Sequence, residues 1–281
     1  MQVILSIAGS DSSAGAGIQQ DLKTITALGN YGATVITAIT AQNTLGVQHV
    51  MPVPAEVVAR QIESVISDLD VRAVKIGMIP NLEVAQAIVS SLCTLQRKFE
   101  KFEKFEKLTP QTLQTSQTLQ TFQTLQTSFP PLFPVVLDPV MISTSGTRLM
   151  AEDCVEYIVR ELMPRCTLVT PNLPEMQMLD TLLHGQLPTN FLVKGGHAEG
   201  DDMTDRLMMT DGTVHTFTHP RIASKNLHGT GCTLSSAIAS CLADGLSLPE
   251  AVAKAKQFLT SAIAAGRDLR IGHGNGPLKV Q

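Results

Sequence analysis

Residues 3–28 read VILSIAGSDSSAGAGIQQDLKTITAL, and the change of pattern inside this stretch decides the fold class. A short apolar run comes first, and a glycine-rich turn separates it from residues whose apolar members return every three or four positions. The first pattern is typical of a buried strand and the second of a helix with one apolar face. The same order returns in ATVITAIT (33–40) and then in a helical pattern at Val58, Ile62, Val65 and Leu69.

Four further apolar runs extend this strand and helix alternation: RAVKIGM (72–78), PVVLDPV (134–140), CTLVTPN (166–172) and FLVKGG (191–196). They are almost continuously apolar, as strands of a parallel sheet are when both faces are buried. Helices should then cover both faces. We therefore expect an α/β protein with three α/β/α layers around a mostly parallel sheet, folded as one domain over residues 1–281.

The composition favours a small-molecule ligand. The chain has 281 residues, 43% of them hydrophobic and 16% charged, with a formal net charge of −4. That balance gives no electrostatic reason to expect nucleic acid or an anionic membrane as a partner. The apolar run at the amino terminus is too short for a signal-peptide core or a membrane span. Five scattered cysteines without a C-x-x-C pair indicate a reduced, cytoplasmic protein.

One segment interrupts the pattern. Residues 97–134 contain three KFE triplets and then the repeats QTLQTS, QTLQTF and QTLQTS, followed by the proline-rich FPPLFP. A hexad with one leucine cannot maintain a helical apolar stripe, so we expect a low-complexity insertion that is mobile at the surface. Its KFE part could prolong the preceding helix. We expect catalysis to survive its deletion.

The motif GTGC (229–232) points to an anion site. In parallel sheets, ligands bind beyond the carboxyl ends of the strands, where this chain is repeatedly glycine-rich or polar. The two glycines let successive N–H groups turn toward one point, and the helix that follows adds its positive dipole end. Gly229, Thr230 and Gly231 could therefore hold a transferred phosphoryl group, although a plain glycine turn has the same letters.

Cys232 lies in the first turn of that helix, where the dipole favours a thiolate over a thiol. It could act as a base or orient an acceptor hydroxyl, or simply fill a small apolar space. Cys241 is nine residues further on, about half a turn around the helix, and should face the core.

The loop from Gly9 to Asp21 follows a strand and opens a helix, yet it lacks the third glycine of a dinucleotide-binding motif, and the chain has no G-K-[ST]. Transfer of phosphate would therefore proceed without a P-loop. Gln42 ends the second strand and offers a donor and an acceptor that match an aminopyrimidine edge, or else it bonds a neighbouring loop. Met78 could cover a flat ring or belong to the core.

Carboxylates and a lysine follow three later strands. Asp138 in DPVM, with Asn172 and Glu175 in NLPE, supplies hard oxygen ligands suited to Mg²⁺ bridging nucleotide phosphates. Lys194 could neutralise a phosphate. Each could alternatively be a helix cap or a surface ion pair.

Together these motifs resemble hydroxymethylpyrimidine/phosphomethylpyrimidine kinases of the ribokinase-like superfamily. The resemblance rests on AGSDSSAGAGIQQDLKT, TAQNT, KIGM, LDPVM, TPNLPE, VKGGH and HGTGCTLSSAIA, and excludes only residues 97–134. It implies two ATP- and Mg²⁺-dependent phosphorylations of the pyrimidine precursor of thiamine, first on its hydroxymethyl group and then on the resulting monophosphate. It also implies a homodimer and leaves open an association with thiamine-phosphate synthase.

The resemblance also implies roles for individual residues. Gln42 would recognise the aminopyrimidine, and its pocket would be shaped by Gly9, Asp21, Met78 and Val140. The nucleotide phosphates would be held by Lys194, Asn172 and Thr170, and Mg²⁺ by Asp138 and Glu175. The transferring group would lie in an anion hole formed by Gly229, Thr230, Gly231 and Cys232, where relatives acting on sugars usually have an aspartate in place of the cysteine.

Two departures and three alternatives accompany this interpretation. The chain has GHGNGPL (272–278) and ISTSGT (142–147) where the family often has GKGHGPV and AxSGD patterns. A pyridoxal kinase shares the GTGC motif, but that branch carries a cysteine soon after DPVM, and here Ile142 to Ser145 contain none. A sugar kinase would favour aspartate at Cys232. A ligand sensor without catalysis would not need Asp138, Glu175, Lys194 and GTGC together.

Overall fold

The computed structural model of the chain describes residues 1–106, 133–141, 150, 152–195 and 202–280. The strands are β1 (Val3–Asp11), β2 (Tyr31–Asn43), β3 (Gly46–Pro52), β4 (Val71–Ile76), β5 (Val135–Leu137), β6 (Leu168–Val169), β7 (Asn190–Val193), β8 (Asp202–Met208) and β9 (Val214–Pro220). The α-helices are α1 (Gly17–Ala27), α2 (Ala55–Asp68), α3 (Leu82–Glu106), α4 (Glu152–Tyr157), α5 (Leu173–Leu183), α6 (Thr230–Ala243) and α7 (Leu248–Gly266). A π-helical turn, Ile158–Leu162, and a 3-10 turn, Met163–Arg165, prolong α4.

The strands form one mostly parallel sheet in the order β3-β2-β1-β4-β5-β6-β7-β8-β9. The six strands from β2 to β7 in this order pair in parallel, whereas β3 at one edge and β8 and β9 at the other are antiparallel. The expected mostly parallel sheet is confirmed.

Two apolar cores lie on opposite faces of the sheet, as the alternation of side chains along a strand requires. In β1, Ile4 belongs to one core and Leu5 and Ile7 to the other. Helices α2, α3 and α5 cover the Leu5 face through side chains such as Val58, Ile88 and Leu179. Helices α1, α6 and α7 cover the Ile4 face through Ile25, Ile238 and Leu259. The three-layer arrangement is therefore confirmed.

The insertion is described only at its two ends. Helix α3 continues through the KFE triplets to Glu106, and residues 107–132 lie outside the described residues. At the other end, Phe133 is buried in the core and the Pro134 carbonyl accepts a bond from Val74 N at 2.8 Å. The expected boundary at residue 134 is therefore wrong by two residues, because an apolar side chain and a sheet hydrogen bond already belong to the domain there.

Two motifs that the sequence analysis singled out fall wholly or partly outside the described residues. These are ISTSGT (142–147) and the end of KGGH, at Gly196 and His197. Among the helices that the structure describes, none combines the length and the apolarity that a membrane crossing requires.

Candidate active site

A cleft of about 830 Å³ opens along the carboxyl ends of the parallel strands. It is lined by twelve of the fourteen residues that the sequence analysis selected: Gly9, Gln42, Met78, Asp138, Val140, Asn172, Glu175, Lys194, Gly229, Thr230, Gly231 and Cys232. The other two, Asp21 and Thr170, lie beneath the cleft wall. The residues that follow the parallel strands therefore meet at one edge of the sheet, as expected for this kind of sheet.

The GTGC loop closes onto the charged part of the cleft. Gly229 has φ of +87° and precedes the first turn of α6, a conformation that favours glycine. A Cβ atom on Gly231 would lie only 2.9 Å from Asp138 Oδ2 and 3.6 Å from Lys194 Nζ. The two glycines thus let the amino end of a helix, with its free N–H groups, approach the acid and the lysine.

Cys232 is a thiol in this setting, which corrects the expectation of a thiolate. Burial raises the pKa of Cys232 to about 11, and the charges of Asp21 and Asp138 act in the same direction. The positive charge of Lys75 and the Gly17 N–H oppose this shift without overcoming it. The helix dipole stabilises an anion only slightly, and the free energy needed to desolvate a buried thiolate is larger. Cys241 is buried in the core, as expected.

Asp138 and Lys194 form an ion pair in the cleft, with Lys194 Nζ 2.8 Å from Asp138 Oδ1. Burial would lower the pKa of Lys194, but the charges of Asp138 and Glu175 outweigh it and raise that pKa. Thr170, predicted to bind phosphate, is instead almost fully buried, and its hydroxyl donates to Asp138 Oδ1 at 3.2 Å. It orients the carboxylate from behind and does not face the cleft.

Asn172 and Glu175 cap helix α5 while they line the cleft. The Asn172 side chain accepts from Glu175 N, and Glu175 Oε2 accepts from Asn172 N, both at 2.8 Å. Burial raises the pKa of Glu175 to about 7, with the charge of Asp138 acting in the same direction and Lys194 against it. The alternative of a helix cap is thus realised, and a cation beside this carboxylate would stabilise its ionised form.

Four of the residues that the sequence analysis assigned to the substrate pocket line the cleft. Gly9 lies against Met78, and a Cβ on that glycine would be 3.0 Å from Met78 Sδ. Val140 and Gln42 line the same cleft. The sequence analysis assigned these four residues to the substrate pocket, and that assignment stays a prediction.

Asp21 does not shape this pocket, because it is fully buried in a polar network under the cleft. Its carboxylate accepts two bonds from Lys75 Nζ at 2.8 and 2.9 Å, and further bonds from the hydroxyls of Ser6 and Ser236. The negative charge of Asp21 outweighs the effect of burial and raises the pKa of Lys75. Asp21 therefore ties β1, β4 and α6 together beneath Cys232.

The cleft residues that sequence reasoning missed include Lys75, Asp11 and His228. Lys75 interrupts the apolar run AVKIGM (73–78), and a charge inside a buried strand was the available signal. Asp11 and His228 form a buried pair, with Nε2 2.8 Å from Oδ2. Burial would raise the pKa of Asp11, but hydrogen bonds from His228 and Ser13 lower it to about 2.

Comparison with known proteins places this chain in a family. A family model described as phosphomethylpyrimidine kinase matches residues 11–101 and 112–279. A hydroxymethylpyrimidine/phosphomethylpyrimidine kinase of Rhizobium meliloti is 43% identical, over 98% of this chain and 96% of its own.

Two solved structures share the fold of this chain. A phosphomethylpyrimidine kinase from Clostridium difficile is 35% identical with a TM-score of 0.69, covering 94% of this chain and 100% of its own. A Bacillus subtilis pyridoxal kinase, solved as an ADP complex, is 26% identical with a TM-score of 0.77, covering 99% and 97%.

Proposed function

This chain belongs to the phosphomethylpyrimidine kinase family, and we propose that it phosphorylates 4-amino-5-hydroxymethyl-2-methylpyrimidine and then the monophosphate so formed, using ATP. It is a phosphotransferase with a ribokinase-like fold, and its product supplies the pyrimidine half of thiamine. One observation carries the proposal: a single cleft is lined both by Gln42 and by the GTGC anion loop, in a chain 43% identical over almost its whole length to a kinase of that name.

The cleft residues act through positioning and charge. In-line phosphoryl transfer needs little covalent help from the protein, so stabilising the charge on the transferring group carries most of the effect. The N–H groups at the start of α6 would receive that charge, and the ammonium of Lys194 would lie beside it, because Gly231 brings the two within reach of each other. Thr170 and Asp138 hold that ammonium in place.

The acids of the cleft fit a divalent cation. Asp138 and Glu175 both line the cleft, and their mutual repulsion contributes to the raised pKa of Glu175. Mg²⁺ is commonly held by one or two carboxylates together with water and substrate phosphates. When bound, Mg²⁺ would offset phosphate charge during transfer. We therefore assign its protein ligands to Asp138 and Glu175, directly or through water.

The neutral thiol of Cys232 suits an enzyme with two different acceptors. A group whose pKa is about 11 is a weak base near neutrality, so the sulphur orients the hydroxyl of the first acceptor more than it removes its proton. When the acceptor is already a phosphate, an uncharged side chain avoids repulsion. One residue can then serve both steps.

A substrate panel tests the function. The purified chain is incubated with ATP, Mg²⁺ and either hydroxymethylpyrimidine, pyridoxal or ribose, and phosphorus NMR follows the products. We expect hydroxymethylpyrimidine to turn over with the highest kcat/KM and its diphosphate to accumulate. Pyridoxal kinase is the alternative that the 26%-identical neighbour favours, and a higher kcat/KM for pyridoxal would establish it instead.

We also propose that the enzyme is a homodimer, working in the reducing cytoplasm that suits its free cysteines. The hairpin of β2 and β3 supports a dimer, because Ile39 and Met51 are paired across it with 46% and 50% of their surfaces exposed. Burying these side chains against a second copy would remove apolar surface from water. Sedimentation of the wild type and of Ile39→Asp tests the proposal: a dimer that the substitution dissociates supports it, and a monomeric wild type refutes it.

A further inference from the structure

A buried hydrogen-bonded chain surrounds the amide of Gln42. His228 Nε2 lies 2.8 Å from Asp11 Oδ2 and 3.2 Å from the nearer terminal atom of the Gln42 amide. The other terminal atom of that amide lies 3.1 Å from Thr40 Oγ1, which donates to Ser10 O at 3.0 Å. Asp11 and His228 are 3% and 8% exposed, so this chain is set by the protein and not by solvent.

The contact with Asp11 determines which atom of His228 carries a proton. The Asp11 carboxylate also accepts from the N–H groups of Gly15 and Ala16 and from Ser13, and these bonds with that of His228 lower its pKa to about 2. An ionised oxygen 2.8 Å away would be repelled by a lone pair on Nε2. That nitrogen therefore carries a proton and donates it to Asp11.

The Gln42 amide can adopt two orientations that differ by a rotation of 180°, which exchanges its oxygen and its nitrogen. With the amide nitrogen of Gln42 toward His228, two N–H donors would face each other across 3.2 Å. With the oxygen toward His228, Nε2–H of the histidine is shared with it. The Gln42 nitrogen then donates to Thr40, and no two donors face each other.

We propose that the Asp11–His228 pair is a positioning device that holds the Gln42 amide with its oxygen toward His228 and its nitrogen toward Thr40. One N–H and one lone pair of the amide remain free, and they point to a substrate edge carrying a ring nitrogen beside an exocyclic amine. Pyridoxal has no such amine. His228 thereby acts on substrate choice through Gln42, an inference that rests on the proposed function and deepens it.

The kinetic test compares His228→Phe with His228→Gln. Phenylalanine keeps the ring but cannot donate, whereas glutamine places an amide N–H near the position of Nε2. We expect the phenylalanine variant to raise KM for hydroxymethylpyrimidine about tenfold, the scale of one hydrogen bond, to leave kcat and KM for ATP within about twofold, and to narrow the preference over pyridoxal. Glutamine should restore most of the loss. An equal rise in KM for ATP would overturn the positioning role.

Two further measurements keep the proposal open to refutation. In the background of Gln42→Ala, His228→Phe should cause no further rise in KM, whereas an unchanged tenfold rise would show that His228 does not act through Gln42. NMR of the ¹⁵N-labelled wild type, without substrate, should find His228 Nε2 protonated, and an unprotonated Nε2 would overturn the proposal. The NMR measurement decides the network even if the chain phosphorylates another acceptor, so the two failures are distinguishable.

Discussion

The protonation of the cleft residues depends on their surroundings more than on their chemical type. Cys232 keeps its proton although it begins a helix, since burial raises its pKa to about 11. Glu175 has a pKa of about 7 because burial and the charge of Asp138 both oppose its ionisation. The cleft thus combines the uncharged thiol of Cys232 with the carboxyl of Glu175, whose ionisation depends on pH and on bound cations.

Replacing the thiol by an acid should separate the two reactions. In Cys232→Asp, a carboxylate faces the acceptor, and two unit charges 4 Å apart at an effective dielectric constant of 20 repel by about 4 kcal/mol. We expect phosphorylation of the monophosphate to fall at least about tenfold more than that of the alcohol. Single-turnover rates with each acceptor measure this, with Cys232→Asn as the uncharged control. Equal selectivity in the two variants would contradict the repulsion.

The carboxyl of Glu175 should produce an acid limb in the pH profile. Only its ionised form attracts a cation, so at low Mg²⁺ concentration we expect kcat/KM to rise with pH through about 7. More Mg²⁺ should shift this limb to lower pH, because the cation favours the anion. Since the folded pKa is raised, the ionised carboxyl also destabilises the fold, and the free energy of unfolding should decrease from about pH 4.5 to 7.

Glu175→Gln provides the matched variant for that prediction. Its amide oxygen can still accept from Asn172 N and cap helix α5, so the melting temperature should change little. The acid limb and its dependence on Mg²⁺ should disappear while activity falls. A limb that persists in Glu175→Gln would assign it to another group.

At the scale of elements, the hairpin of β2 and β3 and the segment 271–278 form one wall of the cleft. Thr44, at the tip of the hairpin, accepts from Asn275 N at 2.8 Å and from Gly274 N at 3.2 Å. Asn275 Oδ1 accepts in turn from Leu227 N at 3.0 Å, and Gly276 O from His228 N. The GHGNGPL departure therefore supplies its own contacts, and these support the loop that precedes the anion hole.

Adding a methyl group to this wall should weaken pyrimidine binding. In Gly274→Ala, the new Cβ would lie 2.0 Å from the Thr44 carbonyl oxygen, so the hairpin tip must move. Because Gln42 belongs to the same hairpin, movement of its tip is expected to displace the Gln42 amide. We expect kcat/KM for hydroxymethylpyrimidine, measured at saturating ATP, to fall by about tenfold to a hundredfold.

Gly212→Ala is the control for that substitution. Gly212, unlike Gly274, has a positive φ, of +87°, but nothing lies within 4 Å of its Cβ position, and it is in the turn between β8 and β9, outside the cleft. It should cost stability and leave kcat/KM unchanged. Equal kinetic losses in the two variants would show that the contact with Thr44 has no role.

At the scale of the whole molecule, one sheet separates two cores and presents its carboxyl edge as the cleft. In the chain, the low-complexity insertion lies between α3 and β5. The residues that line the cleft all lie outside this insertion. The cleft residues and the repeats thus lie in different parts of the sequence, so the insertion can be removed without changing a cleft residue.

Deleting residues 97–132 and joining the ends with a short Gly/Ser linker should therefore preserve catalysis, with kcat/KM within about threefold of the full chain, since loop length alone has a small energetic effect. Coupled assays of both proteins measure this. The deletion stops before Phe133 because that side chain is buried, and Phe133→Ala should destabilise the full chain by about 3–5 kcal/mol. A soluble deletion variant that has lost most of its turnover would contradict the prediction.

The sequence by itself determined the six parallel strands, the mostly parallel sheet and the strand-end positions of the selected residues, whereas the antiparallel strands β3, β8 and β9 were not predicted. Each of these follows from local periodicity, or from the rule that places strand ends such as Asp138 and Lys194 at one edge. The KFE triplets, which the sequence left open as an extension of the preceding helix, continue α3 to Glu106. Short-range patterns carry this information because helix and strand periodicity are set by neighbouring residues.

Only the tertiary structure decided which of these residues face the ligand and in which protonation state. Asp21 is paired with Lys75 across 54 positions, and His228 with Asp11 across 217, distances along the chain at which no local pattern operates. The thiol of Cys232 likewise follows from burial by segments remote in sequence. Desolvation and long-range pairing are properties of the packed molecule, because they depend on what the fold places around a group and not on its neighbours in the chain.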